Sequence, residues 1–491
     1  MTTVTTPTSM EGSTATSPAG SAKSSGKPLH VVFIHLDLGI GGAEQLVLQL
    51  ASASQELGHR LDLVTTRCDP THCFGAVQPG GKLHQNLHVY GTWLPANLGG
   101  LATALCSTIR ILWLTVVVLL WFRSADVVVL DVLPTSIPLI TRWLPKTRVL
   151  FYCHFPDKLL LRKTTDTTSR KWYRILLDWL EEQTMACADT LVVNSKFTLQ
   201  MVQSTFTKLQ SKEMSVLYPA LDVTNLTESI HQAKTNRSPI VSLNRFERKK
   251  NIDLLLHAYA QLVTNQQTKG ETSTLPPLII AGGYDTKNVE NVEYRSELGH
   301  LADTLQIKPY TTFRQDISDA ERATLFQTAL CVVYTPNQEH FGIVPLEAMY
   351  AETPVVAVNT GGPTETIVDG QTGYLCDPTP IAFGQALQKL VMDPTLATQM
   401  GQAGRRHVET NFGPDRLRQE WDQLIRGTQS KRRARSLDHS LWVHVPLYLV
   451  EACVAMLVVL VLTYVLRWIG VLHPSQSILG AIRTNMLGEE L

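Results

Sequence analysis

The sequence contains no Cys-x-x-Cys pair, no Asp-x-Asp triplet and no amino-terminal apolar run, and its formal charges cancel. Each absence narrows the reading. Eight cysteines (Cys68, Cys73, Cys106, Cys153, Cys187, Cys331, Cys376, Cys453) lie scattered in apolar sequence, which argues against a disulfide framework and fits a reducing compartment. Cys68, His72 and Cys73 form the nearest group, and no second ligand cluster completes a metal site around them. With 43 Lys+Arg against 43 Asp+Glu, bulk charge gives no general attraction to nucleic acid. Residues 1–28 are rich in Thr, Ser, Gly and Pro and lack the apolar stretch of a signal peptide, so they read as a disordered leader. Charge is also scarce, at 18% of residues against 44% hydrophobic, where about 25% charged is usual for soluble domains. Part of the surface is therefore expected to meet lipid.

What is present is a chain of 491 residues, too long for one ordinary core and consistent with roughly 2–4 domains. Order is expected from Leu29, where Leu-His-Val-Val-Phe-Ile reads as a buried strand. Gly39-Ile-Gly-Gly-Ala-Glu44 then turns the chain into an amphipathic stretch from Gln45 to Leu57. Further strands are predicted at Leu61–Thr65, Val127–Leu130 and Val149–Tyr152, alternating with helical segments, the pattern of a parallel doubly wound sheet. This first α/β domain spans 29–221. A polar linker, 222–238, leads to a second alternating series at Ile240–Leu243, Leu278–Ala281, Cys331–Tyr334 and Pro354–Val358, giving a second domain over 239–426. Two similar sheets facing each other place ligand at the carboxyl ends of their strands.

The lipid-facing element is expected near the carboxyl terminus. A basic linker, 427–440, carries Lys431, Arg432, Arg433 and Arg435, and the segment 441–491 follows with a nearly unbroken apolar run, Val445 to Leu472. The part from Ala452 to Leu472 meets the ~20 residues needed to cross the hydrocarbon core, with Arg467 near one end, where it can snorkel. Basic residues on the amino-terminal side of the span keep the large domains cytosolic. That topology leaves the sequons at Asn225 and Asn236 unused. A second apolar run, Ile111 to Phe122, is too short to span easily and is expected to be a buried or membrane-resting helix.

Candidate chemistry clusters at strand ends. Gly41 and Gly42 follow the first strand and open a helix, where free backbone N–H groups and the helix dipole receive negative charge. Arg245 and Lys250, in Asn244-Arg-Phe-Glu-Arg-Lys-Lys-Asn251, follow the strand Ile240–Leu243, and two cations there suit a diphosphate; Arg248 and Lys249 read as solvated. In Glu339-His-Phe-Gly-Ile-Val-Pro-Leu-Glu347 two carboxylates flank a strand-to-helix turn, so that one can meet a sugar and the other a ribose. The free amides from Phe341 through Gly342 and Ile343 to Val344 can hold sugar hydroxyls and phosphate. A further glycine turn, Asn359-Thr-Gly-Gly-Pro-Thr-Glu365, follows the strand Pro354–Val358. His154, in Phe151-Tyr-Cys-His-Phe-Pro-Asp157, stands at the end of its own strand, facing the same cleft.

Together these blocks resemble the retaining, two-Rossmann-domain (GT-B) glycosyltransferases. More narrowly, His35–Glu44, Phe151–Asp157, Leu243–Asn251 and Glu339–Met349 resemble the asparagine-linked glycosylation protein 2 family, the dolichol-linked oligosaccharide α-1,3/1,6-mannosyltransferases. The resemblance runs from about Leu29 to about Ile425. It implies transfer of mannose from GDP-mannose to dolichyl-diphosphate-linked Man1GlcNAc2 and then Man2GlcNAc2, with retention, on the cytosolic face of the endoplasmic reticulum membrane. It also implies the roles. Arg245 and Lys250 would hold the diphosphate, Glu347 the ribose, and Glu339 with the Phe341, Gly342 and Ile343 amides the mannose. Gly41 and Gly42 would take the phosphate or acceptor side, and His154 would lie beside the transferred sugar.

An α-donor and α-linked products require double displacement or front-face attack within an ion pair, and the second is favoured here. Without an Asp-x-Asp triplet no metal or other cofactor is expected, and the basic pair must supply the charge. Other early mannosyltransferases of the pathway are expected partners, and nucleic acid is not. Competing readings are a nucleotide-sugar epimerase, a lipid-linked GT-B transferase with a different donor, and a catalytically silent membrane scaffold. Intact Arg245, Lys250, Glu339 and Glu347 argue against the last.

Overall fold

The computed structural model describes residues 26–97, 103–160, 168–221, 238–269 and 275–431. The greater part of the leader, nearly all of the linker 222–238, both sequons, most of the basic linker and the whole anchor 441–491 lie outside them.

Two parallel sheets organise the chain. The first contains seven strands, β1 (His30–Asp37), β2 (Arg60–Arg67), β3 (Leu87–Val89), β4 (Val127–Leu130), β5 (Arg148–Cys153), β6 (Thr190–Val193) and β7 (Met214–Val216), in the order β3-β2-β1-β4-β5-β6-β7. The second contains β8 (Ile240–Leu243), β9 (Leu278–Gly282), β10 (Thr311–Gln315), β11 (Cys331–Tyr334), β12 (Val355–Val358) and β13 (Gly373–Cys376), in the order β10-β9-β8-β11-β12-β13. Counted within its own domain, the second order repeats the first. Each sheet therefore reverses direction at one place, between β1 and β4 and between β8 and β11, where the crossovers leave to opposite faces and a crevice opens beyond the strand ends.

The strands read as unbroken apolar runs because both faces of each sheet are covered. Along β1 the two-residue period divides Val32, Ile34 and Leu36 from Val31 and Phe33. The first set packs with Ile111, Leu114, Val117 and Val118 of the helix Thr103–Trp121, the second with Leu46 and Leu50 of the helix Gly42–Glu56. In the second domain Ile240 meets Leu255, Leu256 and Tyr259, whereas Val241 and Leu243 meet Phe326, Leu346 and Met349.

One expectation holds and one changes. Apart from Phe122, the run Ile111–Phe122 belongs to a 19-residue helix, Thr103–Trp121, which among the described residues is the one helix long and apolar enough to cross a membrane by length and composition. It lays one face on the first sheet, and a helix packed there cannot be ringed by lipid. Its ends nevertheless expose Leu105, Leu120 and Trp121. The last helix among the described residues, Pro414–Ser430, falls largely in the second domain by sequence position but docks on the first. Trp421 is fully buried, its ring 5.9 Å from that of Phe33, and its indole N–H donates to Ser54 at 2.8 Å. Spacing of Leu417, Trp421 and Ile425 foretells an apolar helix face, but periodicity does not say which sheet it covers.

Candidate active site

The donor-side residues stand at the crevice of the second sheet. β8 ends at Leu243, and Lys250 follows in the short turn Arg248–Lys250; β11 ends at Tyr334, and Glu339 follows in the loop beyond it. Lys250 Nζ lies 2.5 Å from Glu339 Oε2, and the two side chains are only 12% and 25% exposed. Burial works against the Glu339 charge, but the Lys250 ammonium holds its carboxyl below the ordinary value.

The same turn sends the other cations elsewhere. Arg245 packs its stem near Gly283, pairs with Glu247 at 3.2 Å and leaves its side chain 63% exposed. The expected inward couple is thus one inward cation, Lys250, and one at the rim. Arg248 and Lys249 are exposed but not free. Arg248 pairs with Glu293 and Glu297, and Lys249 with Glu247 at 2.9 Å.

After Glu339 the backbone must turn sharply into the helix Ile343–Tyr350. Gly342 makes that turn at φ 81°, where a Cβ would also stand 3.2 Å from the Tyr334 ring, so both conformation and space require glycine. Ile343 and Val344 then begin the helix and leave their N–H groups without intrahelical partners. Phe341 instead turns into the core, its ring 5.8 Å from Tyr218 and 6.1 Å from Phe412. The Gly361-Gly362 turn presses on the back of this loop. Gly362 N–H donates to the Glu339 carbonyl at 2.8 Å, and a Cβ at Gly362 would lie 2.0 Å from the Phe341 carbonyl oxygen. Glu347, one helical turn in, is bonded to Arg322 of the helix Asp319–Thr328. Burial pushes its carboxyl up to about 7, with Arg322 opposing.

The first domain supplies the other wall. His154 follows β5, with Nε2 3.2 Å from Asp131 Oδ2 at the end of β4. Its neighbour Phe155 stacks on His340 with ring centroids 3.6 Å apart, and Ser195 Oγ donates to the His340 carbonyl at 2.6 Å. His340 is therefore clamped between domains, and burial lowers its pKa to about 4, keeping the ring neutral. Beside it, the Glu365 carboxylate accepts the Lys196 and Phe197 N–H groups at 2.8 and 2.7 Å and the Tyr218 hydroxyl at 2.9 Å. Gly41 caps the helix Gly42–Glu56 in extended conformation, and Glu44 folds back over it. Gly42 has open space where a side chain would stand.

The arrangement is a cleft with a buried lysine–carboxylate pair and free helix amides on one wall and a histidine on the other. Residues 225–407 match the family model for glycosyl transferases group 1, and 40–225 match that for glycosyltransferase family 4. The chain is 40% identical over 394 residues to the human alpha-1,3/1,6-mannosyltransferase ALG2, covering 78% of this chain and 92% of that one. The ALG2 protein of Dictyostelium discoideum is 37% identical, covering 82% and 98%.

The chain belongs to the ALG2 alpha-1,3/1,6-mannosyltransferase family.

Like its ALG2 relatives it is a mannosyltransferase, and its fold is GT-B. Two solved structures share that fold. They are the sucrose-phosphate synthase of Thermosynechococcus elongatus (TM-score 0.60, 20% identity, 81% of this chain and 98% of that one) and Anabaena HepE in complex with UDP (0.58, 16%, 81% and 100%).

In this ALG2-family cleft the sequence motifs also contain residues with specific contacts that motif reasoning does not single out: His340, Glu365 and Glu44. His35, Asp131 and Arg322 escape it likewise. Asp131 carries a usable signal, because it directly follows the strand Val127–Leu130, just as His154 follows its own. Arg322 carries none, since a lone arginine on a predicted helix does not disclose which carboxylate it will meet.

Proposed function

We propose that this chain transfers mannose with retention from GDP-mannose to dolichyl-diphosphate-linked Man1GlcNAc2 and then Man2GlcNAc2, the α-1,3 and α-1,6 additions of N-glycan precursor assembly. The observation that carries this reading is the buried Lys250–Glu339 contact at the crevice between β8 and β11. An ammonium held there meets the leaving diphosphate, and the carboxylate it now neutralises is freed toward mannose hydroxyls. Arg245, at the rim, swings onto the same diphosphate. Glu347 exchanges Arg322 for the ribose hydroxyls. The amides of Ile343 and Val344 take the sugar phosphate, and Gly41 and Gly42 receive the phosphate or acceptor side.

Charge develops on the departing diphosphate and on an oxocarbenium-like sugar. Fixed groups already pointing at those positions lower the barrier most. In front-face attack the donor phosphate accepts the proton of the acceptor hydroxyl, so the residues position rather than bond covalently. His154 lies beside the transferred mannose. With a lysine and an arginine for the diphosphate, the reaction is read as metal-independent.

The carboxyl-terminal apolar segment is read as a membrane helix of the endoplasmic reticulum with both domains on the cytosolic side. The exposed Leu120 and Trp121 end of the helix Thr103–Trp121 is read as resting on that surface. Tethering suits an acceptor confined to the same bilayer, because it raises the effective concentration of each for the other. Incubation of the full chain with GDP-mannose and a lipid diphosphate-linked GlcNAc2-mannose acceptor tests the reading. Two successive mass increments of one hexose, surviving chelator, support it; no increment with GDP-mannose and transfer from another nucleotide sugar refute it.

A further inference from the structure

The strand ends of the first sheet hold a buried chain of ionisable groups behind His154. β1, β4 and β5 are neighbours, and each contributes one member: His35 within β1, Asp131 just beyond β4, His154 just beyond β5. His35 Nδ1 lies 2.9 Å from both oxygens of Asp131, and Asp131 Oδ2 also receives His154 Nε2 at 3.2 Å. On the far side, His35 Nε2 faces Glu44 Oε1 at 3.9 Å, in the first turn of the helix that Gly41 caps. His35 and Asp131 side chains are 2% and 3% exposed, while His154 is 26% exposed. A buried histidine and aspartate this close to the cleft, in contact with one of its walls, exceed what packing the strands requires.

We propose that Asp131 and His35 are positioning residues for mannosyl transfer: as a buried ion pair they fix His154 in one tautomer and one orientation, presenting Nδ1 to the reacting sugars.

Donor and acceptor counting fixes the tautomer. Burial opposes charge on both groups, yet with carboxylates on its two sides His35 is held protonated, and Asp131 beside it is held ionised. An ionised Asp131 only accepts hydrogen bonds. It therefore requires a His154 proton on Nε2, which leaves Nδ1 as the nitrogen that can carry a lone pair. Among the described residues no protein group bonds Nδ1. It is the nitrogen left to accept a hydrogen bond from a mannose or acceptor hydroxyl. Glu44 joins the chain to the glycine turn, because its carboxylate faces His35 at 3.9 Å and lies folded over Gly41.

The inference rests on His154 facing the transferred sugar, as proposed above, and the experiment separates the two. Asp131→Asn alone strands a buried imidazolium and risks the fold. The informative variant is His35→Gln with Asp131→Asn, which removes both charges and leaves two amides that bond each other. The amide introduced at position 131 can donate to His154 Nε2 as readily as accept from it, so the proton is no longer fixed on Nε2. With the full chain, GDP-mannose and the lipid diphosphate-linked acceptor, kcat should fall by about 10²-fold or more, the scale of losing a correctly positioned proton-bearing group. Donor KM should stay within about threefold, because the donor's diphosphate and ribose contacts lie in the other domain.

The 15N resonances of His154, recognised by their loss in His154→Gln, should report Nε2–H in the parent chain and a mixture of the two tautomers in the double variant. A folded double variant with parental kcat, or with an unchanged His154 tautomer, overturns the inference. His154→Ala that keeps parental kcat overturns the placement of His154 itself, and the relay with it.

Discussion

Glu365 makes a prediction about domain closure. Its carboxylate, in the second domain, takes two N–H groups from the start of the helix Lys196–Thr205 in the first, and it also accepts the Tyr218 hydroxyl. Glu365→Gln keeps the size but replaces one acceptor oxygen with an NH2 group facing donors. At least one hydrogen bond to a charged acceptor is lost, worth about 1.5–3 kcal/mol. The mismatch of NH2 against N–H opposes closure further, so about 2–3 kcal/mol is removed from the interdomain contact. Each 1.4 kcal/mol is tenfold, so the closed population relative to the open one falls roughly 30–140-fold. Because Ser195 and Phe155 meet His340 in the same interface, opening also withdraws His154 from Glu339. Small-angle scattering should show a larger radius for the variant, and donor KM should rise together with a fall in kcat. A folded variant with unchanged radius and unchanged kinetic constants would refute the idea that this carboxylate holds the cleft shut.

Three further outcomes follow from the geometry. Trp421→Ala should cost about 3–5 kcal/mol of stability, as large-to-small core changes of this kind do, and thermal unfolding should show the loss in the first domain although Trp421 follows the second in sequence. Gly342→Ala places a methyl group against Tyr334 at a left-handed φ; the strain, about 1–2 kcal/mol from conformation alone, displaces the Ile343 and Val344 amides and should raise donor KM with little change in melting temperature beyond a few degrees. Glu181 accepts the Asp157 N–H at 3.0 Å beside the His154 loop, and burial, helped by Asp157, raises its pKa from 4.5 to about 7. A raised carboxyl favours folding fully below its unfolded value and loses that contribution as pH climbs to about 7. Glu181→Gln should therefore stabilise the protein at pH 8 by up to about 3 kcal/mol, with the gain vanishing near pH 4.5. Parallel melting curves of variant and parent across that range would contradict it.

Much of the fold is legible in the residues because buried parallel strands announce themselves as apolar runs: Val127–Leu130 and Ile240–Leu243 fall where expected, to the residue. One strand that escapes, β6, is Thr-Leu-Val-Val and as buried as those, whereas others that escape do not alternate or accumulate clearly. β10 is Thr-Thr-Phe-Arg-Gln at a sheet edge, and β7 is three half-buried residues. At the site, glycine turns and charged residues directly after strong strands are visible for a stated physical reason, and Lys250, Glu339 and His154 stand at the cleft. What one dimension cannot carry is pairing between distant segments. Nothing near Glu347 names Arg322, and His35 reads as one more residue of a buried strand until Asp131 is brought beside it. The helix Pro414–Ser430 is the same case on a larger scale, since its apolar face is plain and its destination is not.

At the centre of the proposed chemistry, Lys250 meets a nucleotide diphosphate at the end of β8 while Glu339 turns to the sugar. The most direct test is turnover of the full chain bearing Lys250→Met with Glu339→Gln, a pair that removes both charges while keeping size and so avoids a stranded buried ion. The expected result is a protein that melts within a few degrees of the parent and has lost on the order of 10²–10³-fold in kcat, the scale of removing one electrostatic contact made to the transition state. A folded double variant that transfers mannose at the parental rate would contradict it.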